Sequence, residues 1–208
     1  MKKTTIIFDF DGTIADTFPY IFEIIKKLAV EQGINNLTDK DLHSIRDKHP
    51  LEVIRMFNIP ILKLPFLVIR GQKMLKRNIN QVKLFPGIKE VLFKLKEKGY
   101  RLGVLSSNSV ENLNLFFKKN KIGIFDFVKS SSNIFGKSWA LRSILKENKL
   151  DKKEVIYIGD EVRDIEACQD VGIDIIAVTW GFNSKKILNK YQPEYLVGEP
   201  VKLLTLMN

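Results

Sequence analysis

A single cysteine, Cys168, stands in the 208 residues of this chain. One thiol excludes an internal disulfide framework and a cysteine-based zinc site. Cys168 falls in a stretch of helical pattern over 164–171 and reads as a small buried thiol. Also missing are any apolar run of membrane-spanning length, internal repeats and low-complexity tracts. Met1-Lys2-Lys3 leads straight into an apolar strand, which does not read as a cleaved signal peptide. A cytoplasmic protein without a membrane partner is the expectation. Signs of a nucleic-acid partner are absent too, despite a formal net charge of +10. Of the 34 basic residues, 27 are lysine, spread along most of the chain. No basic arm, zinc-finger spacing or aromatic-basic interleaving organises them. Solvated surface lysine is therefore the reading, and no nucleic-acid partner is expected.

One stretch lacks acids altogether. Between Pro60 and Lys83 stand Lys63, Arg70, Lys73, Lys76, Arg77 and Lys83 with no counter-charge. Charge runs usually face water, and a solvated helix face is the expectation. The alternative is that Arg70 or Arg77 meets an anionic group on a ligand, since a guanidinium binds carboxylate bidentately.

What is present begins with Asp9-Phe10-Asp11-Gly12-Thr13, at the end of the run Thr4-Thr5-Ile6-Ile7-Phe8. The run is apolar and β-branched enough for a buried parallel strand. Side chains alternate along a strand, so Asp9 and Asp11 share one side and Phe10 turns away. Two carboxylates there would repel, and one would keep its proton unless a divalent cation intervened. The plain alternative is an acidic turn, because Asp-Gly is a common turn pair.

The remaining pattern gives the organisation. Helical periodicity over 19–32, 39–46, 51–57 and 65–79, with no convincing strand between 17 and 82, predicts an all-helical insertion. From Phe85-Pro86-Gly87 onward, helices and strands alternate regularly, with strands at 101–106, 127–131, 155–159 and 175–179. The fold class expected is α/β: a doubly wound parallel sheet, a Rossmann-like core of 1–16 and 83–208, interrupted by a helical cap of 17–82.

In such a sheet the loops after the strands share one edge. They carry Asp9 and Asp11; then Ser106, Ser107, Asn108 and Ser109; then Asn133 to Lys137; then Gly159, Asp160 and Glu161, with Asp164 one turn later. Each set alone reads as a turn, a helix cap or a surface lysine. Together they offer oxygen ligands for Mg²⁺, phosphate-binding hydroxyls and helix-start N–H groups, and a counter-charge.

Those four motifs, in that order, resemble the haloacid dehalogenase superfamily of aspartate-nucleophile phosphatases. Val178-Thr179-Trp180-Gly181-Phe182 and Pro193-Glu194-Tyr195-Leu196 resemble its phosphoglycolate-phosphatase-like branch. The resemblance implies that Asp9 attacks phosphorus and that Asp11 acts as general acid and then base. An acid at position 11 implies phosphate esters rather than halides, since expelled halide needs no proton. Ser106, Ser107 and Lys137 would hold the phosphoryl group. Asp9, Asp160 and the main-chain oxygen of Asp11 would hold Mg²⁺, and Asp164 would orient its waters or Lys137 from behind. Asn108 and Ser109 are expected to order the loop and start the helix rather than touch substrate; Glu161 reads as a water-mediated ligand or an exposed acid, and the exposed acid is the expectation. The implied reaction is hydrolysis of a small phosphorylated metabolite, phosphoglycolate-like or a sugar phosphate, through an aspartyl-phosphate. A phosphomutase, or less closely a phospho-accepting receiver-type signalling module, would use similar groups.

Overall fold

Five parallel pairings build the sheet, and their register decides where the acids go. A computed structural model describes residues 3–34, 37–131 and 136–207, with Leu42 described in its main chain only. Strand β1 (Thr5–Phe8) is followed by β2 (Ala15–Asp16), β3 (Lys83–Leu84), β4 (Arg101–Ser106), β5 (Phe127–Ser130), β6 (Val155–Gly159), β7 (Asp174–Val178) and β8 (Tyr195–Val197). The main sheet has the order β5-β4-β1-β6-β7-β8. Phe8 lies beside Val104 on one side and Ile158 on the other. Strand order therefore reverses on either side of β1, and the crevice at that reversal lies just beyond Phe8.

Alternation along β1 sends Ile6 and Phe8 into one hydrophobic core and Ile7 into the other. Both faces are thus covered, which explains an uninterrupted apolar strand. Helices α5 (Ile88–Glu97) and α6 (Val110–Asn120) supply the first core, with Leu92 and Phe116 fully buried. Helices α7 (Lys137–Asn148) and α8 (Val162–Val171) supply the second, with Leu141 and Ile165 fully buried. Cys168 lies buried in α8, as its surroundings predict.

Between β2 and β3 run α1 (Phe18–Glu31), α2 (Asp39–Ser44), α3 (Pro50–Met56) and α4 (Leu64–Lys76). Local chemistry explains their starts. Pro19, Pro50 and Pro65 each occupy a first-turn position, and Thr38 and Asp41 form a capping box for α2. The flanking β2 and β3 pair antiparallel, Ala15 opposite Leu84 and Asp16 opposite Lys83. Short helices α9 (Lys185–Lys190) and α10 (Leu203–Leu206) complete the chain. No helix among the described residues is long and apolar enough to cross a membrane.

Some boundaries differ from the sequence expectation. Helix α4 ends at Lys76 rather than at 79, and α8 begins at Val162 rather than at 164 because Glu161 caps it. Of the expected loop 133–137, residues 133–135 lie outside the described residues.

Phe10, between the two aspartates, is fully buried and meets Phe116 and Phe117 edge-on at centroid distances of 4.9 and 5.7 Å. That aromatic anchor fixes the end of β1 against α6. Phe10→Ala should cost about 3–5 kcal/mol of unfolding free energy by urea titration at unchanged slope. A loss below about 1 kcal/mol would show that the anchor is not a structural determinant.

Candidate active site

Beyond Phe8 the chain turns sharply. Gly12 N–H donates to the Ala15 carbonyl at 2.9 Å, and the N–H groups of Ile14 and Ala15 both reach the Phe10 carbonyl at 3.0 Å. Gly12 has φ +79°, and a Cβ there would stand 2.1 Å from a carboxylate oxygen of Asp160. Only glycine satisfies both demands. The turn leaves Asp9 3% exposed, with its carboxylate toward α7, and directs Asp11 toward the end of β4.

Lys137, the first residue of α7, lies buried between two acids. Its Nζ donates to Asp9 Oδ2 at 3.0 Å and to Asp164 Oδ1. Burial alone would lower this lysine, yet Asp164 and Asp9 hold it above its ordinary value. The second oxygen of Asp164 accepts the Glu161 N–H at 3.0 Å. Asp160 is wholly buried, accepting from the Thr13 hydroxyl at 2.8 Å and the Phe182 N–H at 2.6 Å. Burial, reinforced by Asp9, Glu161 and Asp164, pushes Asp160 well above the usual carboxylate range. Burial also raises Asp9, against the pull of Lys137.

Asp11 has different neighbours. Ser106 Oγ and Asn108 Nδ2 each donate to it at 3.3 Å. Burial pushes it up to about 6, while the hydroxyl and amide groups around it restrain the rise. Ser107 lies on the same loop, its carbonyl accepting from Gln72 of α4.

Oxygen atoms of Asp9, Asp160 and Asp164 lie within 4.8 Å of one another, and all three residues are buried. This triad could hold a metal. Its donors are all carboxylate oxygens, the kind a hard divalent cation takes. A cation would offset the burial and the mutual repulsion that together raise Asp9 and Asp160, so the residues fit the ion.

The sequence from 6 to 178 matches the family model of the haloacid dehalogenase-like hydrolases. The chain belongs to this family. It is 32% identical over 200 residues to the phosphoglycolate phosphatase of Synechococcus elongatus, covering 96% of this chain and 94% of that protein. It is 23% identical to the pyrophosphatase PpaX of Bacillus mycoides, over 100% of this chain and 98% of that one. Among solved structures, a haloacid dehalogenase-like family hydrolase from Streptococcus pneumoniae superposes with TM-score 0.81 at 26% identity, covering 99% of both chains. A predicted phosphatase from Clostridium acetobutylicum gives 0.85 at 21% identity, over 100% of this chain and 99% of that one. This haloacid dehalogenase-like hydrolase is therefore an enzyme of the phosphatase kind, on the expected α/β fold.

One expectation needs correction. Glu161 is not an exposed acid. Its side chain is 15% exposed and forked onto Arg163, with Nε–Oε2 at 3.0 Å and Nη2–Oε1 at 2.5 Å. Although burial raises it, Arg163 holds Glu161 below its ordinary value. Asn108 orders its loop as expected, its Oδ1 accepting the Ser109 N–H at 2.8 Å, and its Nδ2 also reaches Asp11. Ser109 does cap α6, accepting the Asn112 N–H at 3.2 Å. The basic stretch faces outward, where Arg70 pairs with Glu31 and Lys76 with Glu111, both at 2.6 Å.

Other contacts had no sequence signal. Arg46, between α2 and α3, donates to the Phe182 and Gly181 carbonyls at 3.0 Å each and stacks 4.8 Å over Phe18. The loop it grips packs tightly against the Gly12 turn. A Cβ on Gly181 would sit 2.3 Å from the Gly12 carbonyl oxygen and 2.3 Å from Asp160 Oδ2. Gly181→Ala should therefore cost about 1–3 kcal/mol in urea unfolding, because a main-chain atom cannot yield as a side chain can. Unchanged stability would mean that this loop has slack that the geometry denies.

Proposed function

We propose that the chain is a Mg²⁺-dependent phosphomonoesterase that works through an aspartyl-phosphate on Asp9. The observation that carries this reading is the contrast between the two carboxylates of one turn. Asp9 is tied to the buried Lys137, whereas Asp11 rests on Ser106 and Asn108. Two acids whose environments differ can divide nucleophile from general acid.

In this reading Asp9 Oδ attacks phosphorus, which needs it ionised, and Lys137 beside it favours that state. Asp11 protonates the departing alkoxide and then takes a proton from the water that hydrolyses the intermediate. Ser106 Oγ, the Ser107 N–H and Lys137 Nζ bind the transferring oxygens. Asp164 acts through Lys137, holding its ammonium toward Asp9. Asp9, Asp160 and the Asp11 carbonyl would hold Mg²⁺, with Asp164 close enough to contribute. The ion would neutralise the acid cluster and polarise the phosphoryl oxygens. The helical segment 17–82 serves as the cap over the leaving group. Relatives named for phosphoglycolate and pyrophosphate support a small phosphorylated substrate. The catalytic floor itself acts on phosphorus and does not select among phosphoglycolate, a sugar phosphate or another small ester.

Two experiments test this. Asp9→Asn keeps the side-chain shape but cannot attack phosphorus, so phosphate release should fall by several orders of magnitude while thermal stability holds. Residual turnover above contaminant level would assign the attack to another residue. Separately, EDTA should abolish phosphate release and added Mg²⁺ should restore it. Full activity after exhaustive chelation would remove the metal from the scheme.

A further inference from the structure

A cavity of about 360 Å³ lies between the helical segment and the carboxyl edge of the sheet, with Asp11, Ser107 and Asn108 at its floor. Its walls come from α1, α3 and α4 and are largely aliphatic: Ile21, Ile25, Leu28, Val53, Leu67 and Val68 among them. These six side chains are only half-buried although they point inward. Protein interiors normally close to near-crystalline density, with few voids larger than a water. A space this size, continuous with a reactive carboxylate and walled by uncovered methyl groups, is built to take an apolar occupant.

Charge on the walls points the same way. The cations lining the cavity are Lys48 and Arg163, and Arg163 is already forked onto Glu161. With that pair set aside, Lys48 and Asp11 are the lining charges that remain, one of each sign. Lys63, Arg70, Lys73, Lys76 and Arg77 do not line the cavity; all five are exposed. A carboxylate or second phosphate deep in this space would find methyl groups where it needs donors, at a desolvation cost.

We propose that the leaving-group subsite is apolar and that the substrate is the phosphate monoester of a medium-chain aliphatic alcohol. This rests on the phosphatase reading above and narrows its substrate class. At ~30 Å³ for each water-sized group, the cavity has room for about a dozen. Some of that room stays unfilled around a mobile chain, so the best fit is a chain of roughly six to ten carbons. The hydroxy acid and sugar esters suggested by resemblance leave most of the aliphatic wall unused.

The test is kcat/KM, in Mg²⁺, for ethyl, butyl, hexyl, octyl and dodecyl phosphate beside 2-phosphoglycolate and a hexose phosphate. Efficiency should rise roughly three- to fourfold per methylene until the cavity is full, then fall. Hexyl or octyl phosphate should exceed both polar esters. A flat alkyl series overturns the proposal, as does a lead for phosphoglycolate or the hexose phosphate; if Lys48→Met removes a phosphoglycolate lead, Lys48 is the anion contact instead. If no ester is turned over, the phosphatase reading fails, and calorimetric binding of the non-hydrolysable alkylphosphonates decides the subsite separately. Affinity that tightens with chain length upholds it, and affinity without that dependence overturns it.

Gly71 supplies a second arm. It lies on α4 at the cavity wall, and a Cβ there would make an ordinary contact, 3.6 Å from Ile24 Cγ2. Gly71→Leu replaces a poor helix former with a good one while filling space. The octyl-to-ethyl efficiency ratio should fall by at least about tenfold, with the optimum moving to shorter chains. An unchanged optimum in the folded variant would overturn the assignment, and the wild-type series decides the question if the variant does not fold.

Discussion

An excess of buried negative charge governs the carboxyl edge of this sheet. Asp9, Asp160 and Asp164 gather within 4.8 Å, with Asp11 and Glu161 close by, and the cations among them are Lys137 and Arg163. Removing several carboxylates from water carries a large desolvation cost unless each finds donors. Here each oxygen has been given one where the backbone allows: the Thr13 hydroxyl and Phe182 N–H on Asp160, and the Glu161 N–H and Lys137 on Asp164. What remains uncompensated shows as the raised Asp9 and Asp160. A fold tuned only for stability would not bury such a cluster. The imbalance is what a divalent cation and a phosphoryl group would together complete.

Holding the acids that close together requires the main chain to approach itself. The Gly12 turn and the 181–183 loop meet face to face, with Asp160 between them. Trp180 Nε1 donates to the Thr13 carbonyl at 3.1 Å, closing the loop onto the β1 turn from the other side. Register supplies the rest, because β1 lies between β4 and β6 and their ends arrive level with its own. Topology therefore brings together groups that are 95 residues apart, as in Ser106 and Asp11, or 147 apart, as in Thr13 and Asp160.

This explains which parts were legible in the sequence. Strands buried on both faces read as apolar β-branched runs, and acids at their ends stood out because they contradict that pattern. The pairs Ala15–Asp16 and Lys83–Leu84 and the strand Tyr195–Val197 are too short for periodicity to register, so their pairing went unread. Glu161 misled because an acid after Gly-Asp looks like a turn residue, although its partner Arg163 stands only two positions on. Gln72 and Arg46 gave no signal at all. Their partners are main-chain carbonyls on other elements, and a carbonyl has no sequence identity to recognise.

Those two residues also show how the helical segment and the carboxyl edge of the sheet constrain each other. On one side, Arg46 binds the carbonyls of the loop whose Phe182 N–H supports Asp160. On the other, Gln72 Nε2 donates to the Ser107 carbonyl while the Gln72 carbonyl accepts from Asn112 Nδ2 at 3.0 Å. Asn112 also donates to Asn108 Oδ1 at 2.7 Å, and Asn108 in turn donates to Asp11. An unbroken line of amide contacts thus runs from α4 to the Asp11 carboxylate. Displacing α4 would take the Gln72 donor from the Ser107 carbonyl and an acceptor from the buried Asn112 amide, a cost of about 1–3 kcal/mol for each. The polar contacts therefore stand at the rim, where segment and floor meet, and the aliphatic walls stand between them. Orientation is fixed by a few directional bonds at the edge, leaving the interior free to be shaped by whatever it encloses.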